Sequence, residues 1–178
     1  MVISGRKWEK VFIFTVLKKL SQLMSTFIGE YICKLDSKGR LMLPSVFKKQ
    51  MSSETQLRFI VKKDIFVNCL NLYPNDEWER QVKTIRGNIN TFNREHSRFL
   101  REFYRGTAEI ILDNTNRLLI PKRLLESTEI GNEVVLVGID GKIEMWDKKA
   151  YDIIGENETD FAELTEKIMG GNINKTDV

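Results

Sequence analysis

Two stretches of the chain match each other at a spacing of 77 residues: Leu35-Asp36-Ser37-Lys38-Gly39-Arg40 and Leu112-Asp113-Asn114-Thr115-Asn116-Arg117. Each carries Asp and Arg four residues apart, then three apolar residues and a proline (Leu41-Met42-Leu43-Pro44; Leu118-Leu119-Ile120-Pro121). A coincidence of this length and order reads as an internal duplication, so the fold must accommodate two copies of one small unit. Each unit reads as a hairpin. Gly29 to Leu35 alternates, with Tyr31, Cys33 and Leu35 on one face, as Ala108, Ile110 and Leu112 do in the second copy. An Asp opening a tight turn accepts backbone N–H bonds from residues two or three ahead. Gly39 stands where a type I turn with a bulge needs a left-handed residue, and Asn116, the other residue suited to that conformation, stands there in the second copy.

The prolines mark helix starts. Short helices are expected from Ser45 to about Met51 and from Lys122 to Glu126, the first broken by Ser52-Ser53-Glu54-Thr55. Strands follow over Leu57–Val61 and Ile65–Tyr73 in the first copy. In the second they run over Val134–Gly138 and Ile143–Trp146, with Asp140-Gly141 as a tight hairpin. Helices then begin at Pro74-Asn75-Asp76 and after Asp147. Tyr73 and Trp78 correspond to Trp146 and Tyr151 at a spacing of 73, so the first copy carries four extra residues in between. From Asn93 to Arg105 a helix places Phe92, His96, Phe99 and Phe103 on one face, and Arg94, Arg98, Arg101 and Arg105 on a stripe about 200° round, solvated or in contact with another subunit. A last helix is expected from Asp160 to Met169, and disorder from Gly170-Gly171 onward.

A two-stranded hairpin is marginal alone, so two interleaved copies closing a small barrel explain the duplication on stability grounds. The expected class is α+β, mainly β: two tandem, interleaved barrel halves with short helices. The organisation is an extension at 1–23, a first repeat at 24–90, a linking helix at 91–105, a second repeat at 106–155 and an acidic tail at 156–178. The apolar run Val11–Leu17 is too short to span a bilayer, and Lys18-Lys19 follow it with no small-residue cleavage site, so export is not expected. A translation start at Met24 is a second reading of that extension.

The net charge of +3 conceals an asymmetry. Residues 29–105 hold fifteen basic and nine acidic residues, and residues 106–178 hold eight and fifteen. The first repeat therefore argues better for a polyanionic partner than the second. Lys34, Lys38, Arg40, Lys48 and Lys49 cluster along the chain around the first turn. Phosphate contacts need only such cations, whereas base reading needs a planar donor such as Arg40 or Arg117. Asp36 and Asp113 would repel phosphate if they reached outward, so they are assigned to bracing the turns, together with Gly39 and Asn116. Cys33 and Cys69 have no metal-ligand spacing and read as small buried or half-buried thiols, and His96 as a packed or rim histidine. No nucleophile–base pair, metal cluster or phosphate loop is legible, so no catalytic residue, metal or cofactor is expected.

Phe27-Ile28-Gly29-Glu30-Tyr31, the Leu35–Leu41 turn, Leu72-Tyr73-Pro74 with Glu77-Trp78-Glu79, and the second Asp-x-x-x-Arg at Asp113 and Arg117 closely resemble the MraZ family over about residues 24–155. The resemblance implies an AbrB-like swapped-hairpin fold in each half and a cytoplasmic, nucleoid-associated regulator of the bacterial division and cell-wall gene cluster. It also implies a ring-like homo-oligomer, with no membrane partner, that binds repeated sites in double-stranded promoter DNA through its Asp-x-x-x-Arg segments. Lys34, Lys38, Arg40 and Arg117 are the residues expected to contact that DNA, with Arg40's turn dominant because its half is basic. The alternative is an oligomeric protein-interaction scaffold of AbrB/antitoxin type, which should survive loss of Arg40. Family members begin near Met24, and Asn116 departs from their glycine.

Overall fold

The computed structural model describes residues 25–51, 57–154 and 158–170. The expectations for residues 1–23, for the break at 52–55 and for the tail beyond 170 lie outside the described residues. Eight strands and six helices alternate in an α+β arrangement among them: β1 Phe27–Lys34, β2 Arg40–Met42, α1 Ser45–Gln50, β3 Arg58–Lys63, β4 Leu70–Pro74, α2 Asn75–Asn88 and α3 Arg94–Tyr104 come first. The second copy supplies β5 Ala108–Ile111, β6 Arg117–Leu119, α4 Lys122–Ser127, β7 Glu133–Asp140, β8 Lys142–Asp147, α5 Lys148–Ile154 and α6 Glu158–Met169.

The duplication is written into the sheet order. Six strands run β1-β7-β8-β4-β3-β5, and β2 pairs with β6 in a separate ribbon. Exchanging the copies (β1 for β5, β3 for β7, β4 for β8) returns the same order read backwards. A pseudo-twofold axis therefore passes between β4 and β8 and through the ribbon. Each copy's opening strand pairs with the other copy's hairpin: β1 with β7, β5 with β3. At the turn each chain leaves its own copy again, and Leu41 of β2 faces Leu118 of β6. The halves are thus swapped into one shared sheet and ribbon, because neither hairpin alone could bury its apolar face.

One face of the sheet meets the ribbon, α1 and α4 across a core that includes Phe27, Phe47, Phe59, Leu41, Leu118, Leu136 and Met145. Phe47 of α1 stands edge-on to Phe27 and Tyr31, with ring centres at 5.7 and 4.9 Å. The other face carries Ile60, Lys62, Asn71, Tyr73, Val135 and Trp146, all buried. Here α2 packs on β3 and β4, and α5 on β7 and β8. The matched aromatic pairs sit alike, Tyr73–Trp78 at 5.8 Å and Trp146–Tyr151 at 6.1 Å.

Helix starts follow their caps. The Asn93 side chain accepts N–H bonds from Glu95 and His96, and Asp147 accepts from Lys149 and Ala150. His96 accepts the Asn90 N–H at 2.9 Å, a rim position. On α3, Phe103 is buried against Trp78 and under the Lys62 ammonium, but Phe92 and Phe99 are exposed, so the expected aromatic face is only partly covered. One strand starts later than its sequence suggests. Residues 65–69 form a bent loop and β4 begins at Leu70. The Asp64 carboxylate captures the N–H groups of Phe66 and Val67, and the Asp64 N–H goes to the Cys69 carbonyl. These local bonds draw the segment away from a ladder despite its apolar residues.

Candidate nucleic-acid interface

The two turns are built alike. The Asp36 N–H donates to the Arg40 carbonyl and the Gly39 N–H to the Asp36 carbonyl; Asp113, Arg117 and Asn116 repeat the pattern. One carboxylate oxygen of each Asp accepts the N–H groups two and four residues ahead, Lys38 and Arg40 in the first turn, Thr115 and Arg117 in the second. Gly39 and Asn116 both adopt left-handed φ, 79° and 60°. A Cβ on Gly39 would lie 3.0 Å from the Ile120 carbonyl oxygen. Gly39→Ala should therefore cost about 1–3 kcal/mol. Asn116→Gly should change stability by less than about 1 kcal/mol. Thermal melts of the two variants check the contrast.

The arginine braces differ. Arg40 Nε donates to the second oxygen of Asp36 at 2.6 Å. In the second turn Arg117 Nε donates to the Thr115 hydroxyl at 2.8 Å, and that hydroxyl donates to Asp113 at 2.6 Å. The direct Arg117–Asp113 approach is 3.7 Å. The Arg40 N–H foremost, then its guanidinium, holds the Asp36 carboxyl below its ordinary range. For Asp113 the Thr115 hydroxyl leads, followed by the Arg117 N–H. Both carboxylates are thus ionised at neutral pH and satisfied by their own turns. Thr115 as a relay escaped sequence reading; its offset partner is Lys38, and nothing in the spacing distinguishes it.

The ribbon sets both arginines on one surface. In β2 and β6 the middle residues, Leu41 and Leu118, are fully buried. Alternation then turns Arg40 and Met42, and Arg117 and Leu119, to the opposite face. The register places Arg40 beside Leu119 and Met42 beside Arg117. Met42 is 62% and Leu119 54% exposed, large apolar groups held open between two cations. Strand period alone could have identified these two as companions of the arginines.

Strand exchange also redistributes the charges. The first turn shares a hollow with α4 of the second copy, where Lys38 stands near Lys122, Glu126 and Glu129. The second turn meets α1 of the first copy: Lys48 donates to the Asn116 side chain at 2.6 Å. Lys34 lines the same side as Asn116 and Met42, and its ammonium lies 3.3 Å from Glu133. Lys48 and Lys34 of the basic half therefore stand beside the second turn, and Lys122, Glu126 and Glu129 of the acidic half stand beside the first. Charge counted along the chain assigned each turn the neighbours of its own half.

A separate polar cluster lies across the pseudo-axis on the helix-covered face, where Asn71 of β4 faces Glu144 of β8. The Lys142 ammonium reaches Glu144 at 2.8 Å, Asn71 at 3.0 Å and Asp64 at 3.8 Å. Asp64, Cys69 and Glu144 gather donor atoms of metal-ligating type within 4.8 Å, a meeting the cysteine spacing did not announce. The cation among them is Lys142. Burial, reinforced by Glu144 and Asp64, pushes the Cys69 thiol up to about 12, and burial raises Cys33 as well, so both remain thiols.

Comparison with known proteins adds that the family described as "MraZ protein, putative antitoxin-like" matches twice, over residues 26–102 and 103–170. The chain belongs to the MraZ family. Its relatives include the transcriptional regulator MraZ of Christiangramia forsetii, 41% identical over 148 residues, covering 83% of this chain and 95% of that protein. The transcriptional regulator MraZ of Flavobacterium psychrophilum is 41% identical over 152 residues, covering 85% and 96%. That of Phocaeicola vulgatus is 38% identical over 148 residues, covering 83% and 96%. The two family matches correspond to the two copies that the sheet interleaves. Among the described residues no helix is long and apolar enough to cross a membrane.

Proposed function

We propose that the chain is a sequence-specific, DNA-binding transcription regulator that reads repeated promoter sites as a ring-like homo-oligomer. The observation that carries the reading is the ribbon face, where two Asp-braced arginines and two exposed apolar side chains are held in fixed register. A B-DNA major groove admits a two-stranded ribbon of this kind. Its guanines offer paired acceptors to an arginine, and its thymine methyls offer contact to Met42 and Leu119. Lys34, Lys38 and Lys48 suit phosphate contacts on either side, which position the ribbon without specifying sequence. The names of the MraZ relatives, all transcriptional regulators, point the same way. In this reading the protein is cytoplasmic and nucleoid-associated, is not an enzyme, and acts on the division and cell-wall gene cluster.

One ribbon offers few contacts, so a single copy should bind weakly. Several copies held in one assembly make each later contact intramolecular, with gains of about 10²–10⁴. DNA selected from random pools with the purified protein supplies the sites. Affinity for one, two and three such sites, titrated over salt, should rise with site number, and the salt dependence should steepen as more phosphates are engaged. Equal affinity for one and three sites removes the multivalent reading.

A further inference from the structure

The two turns differ in what the neighbouring helix sets against them. Helices α1 and α4 correspond at the spacing of 77, so Lys48 and Asn116, bonded to each other at the second turn, match Leu125 and Gly39 at the first. Glycine has no side chain to offer and leucine has no donor. Leu125 Cδ1 lies 3.4 Å from where a Cβ on Gly39 would stand. The bridge that ties the second turn to its helix is therefore missing at the first, and a hollow of about 400 Å³ opens there between the turn and α4. That volume is in the range of small-molecule sites. Its lining divides by chemistry. Leu35, Leu125 and Ile130 supply an apolar wall, and the rim carries two cations, Lys38 and Lys122, and two carboxylates, Glu126 and Glu129. The Lys122 ammonium and the Glu126 carboxylate lie 3.7 Å apart along α4. Among the described residues the side chains of Lys38 and Glu129 form no ion pair or hydrogen bond. Glu129 holds a left-handed φ of 54°, which suits glycine or asparagine better, so a carboxylate stands on the rim in spite of its backbone.

We infer that this hollow binds a free α-amino acid with an apolar side chain, and that the bound amino acid weakens DNA contact at the first turn. An α-amino acid carries a carboxylate and an ammonium on one carbon. The neighbouring charges of Lys122 and Glu126 match that pair, and Lys38 and Glu129 add one charge of each sign. The ligand's side chain then lies against Leu125 and Ile130. A purely anionic ligand would leave both rim carboxylates facing it, and a purely cationic one both ammonium groups. A carboxylate held by Lys38 withdraws that cation from phosphate. The coupling is reciprocal, so DNA weakens the amino acid by the same factor. The regulatory part rests on the DNA-binding reading above; the binding part does not.

Calorimetry on the full chain tests the binding part, with L-leucine and L-phenylalanine as probes and N-acetyl-L-leucine and L-leucinamide as controls. The two amino acids should bind with Kd of about 1 mM or tighter. Each control lacks one charge and should bind about tenfold more weakly. Glu129→Gly, which suits the left-handed φ, and Lys122→Gln should weaken L-leucine by a similar factor. Leu125→Lys, which copies Lys48, should abolish binding. Circular dichroism establishes that each variant is folded. No binding of either amino acid overturns the inference. Equal binding of the controls overturns the zwitterion assignment, and wild-type binding by both Glu129→Gly and Lys122→Gln overturns the site. Gel shifts on two-site DNA test the regulatory part. Saturating L-leucine should weaken DNA binding about fivefold and lower the salt slope by about one for each engaged copy. Unchanged DNA affinity in a protein that binds leucine overturns the regulation and leaves the DNA reading intact. A protein that binds leucine but no DNA overturns the DNA reading and the regulation, and supports the hollow as an amino-acid site.

Discussion

Lys142→Met should destabilise the fold by about 3–5 kcal/mol, because it leaves two largely buried carboxylates without their cation. For a domain of this size that corresponds to a fall in Tm of roughly 6–20 °C. The side chains of Lys142, Asp64 and Glu144 are 22%, 14% and 12% exposed. Glu144 also accepts the Trp146 indole N–H, and Asp64 the Asn71 amide, so the cluster ties both hairpins across the pseudo-axis. Adding Asp64→Asn and Glu144→Gln to Lys142→Met removes the uncompensated charge and should recover much of the loss. Deleting the exposed pair Lys34–Glu133 should stay within about 0.5 kcal/mol. The cluster has a pH signature too. Burial works against the Asp64 carboxylate, but the Phe66, Asn71 and Val67 donors and Lys142 outweigh it and lower its pKa. A lowered carboxyl contributes stability that is complete above its unfolded value and is lost as pH falls through the folded one. Acid melts below about pH 4 should therefore narrow the gap between wild type and an Asp64→Asn variant. A Lys142→Met protein that melts with the wild type would show that the cluster adds no net stability.

What the sequence disclosed depended on how local each cause is. The hairpin turns were legible because a left-handed residue and an Asp cap act within five residues, and Gly39 and Asn116 both hold the conformation assigned to them. The interleaving of the two copies followed from the duplication, since a marginal hairpin needs its twin, and the swapped-hairpin form came with the family resemblance. The strand expected from Ile65 failed for an equally local reason, the Asp64 carboxylate, whose capture of two N–H groups competes with a ladder. Long-range placement was not legible. Counting charge by halves treats each copy as its own neighbourhood, but β2–β6 pairing carries each turn to the helix of the other copy, as the Lys48–Asn116 bond shows. The meeting of Asp64, Cys69, Asn71, Lys142 and Glu144 has the same origin: it depends on the β4–β8 register, which no local pattern records.

We propose that the exchange of neighbours reverses the expected ranking of the two arginines. Arg117→Ala should weaken DNA binding by an assembled oligomer at least as much as Arg40→Ala. The two guanidinium groups stand on one ribbon face and are equally exposed, 37% for Arg40 and 36% for Arg117. Beside the second turn Lys48 and Lys34 stand against Glu133, which favours a polyanion there, whereas at the first turn Glu126 and Glu129 offset Lys38 and Lys122. A lost arginine–guanine contact is worth about 1–3 kcal/mol. Every copy in an assembly carries the same change, so two engaged copies lose about 2–6 kcal/mol, roughly 30- to 20,000-fold in affinity. Lys48→Ala should act differently, weakening all sequences about equally and lowering the salt slope by about one. Gel-shift titrations on two-site DNA, with light scattering to establish that each variant still assembles, distinguish these cases. Near wild-type binding by Arg117→Ala alongside a large loss in Arg40→Ala would mean that the charge of the chain's own half, and not the neighbours supplied by strand exchange, governs the interface.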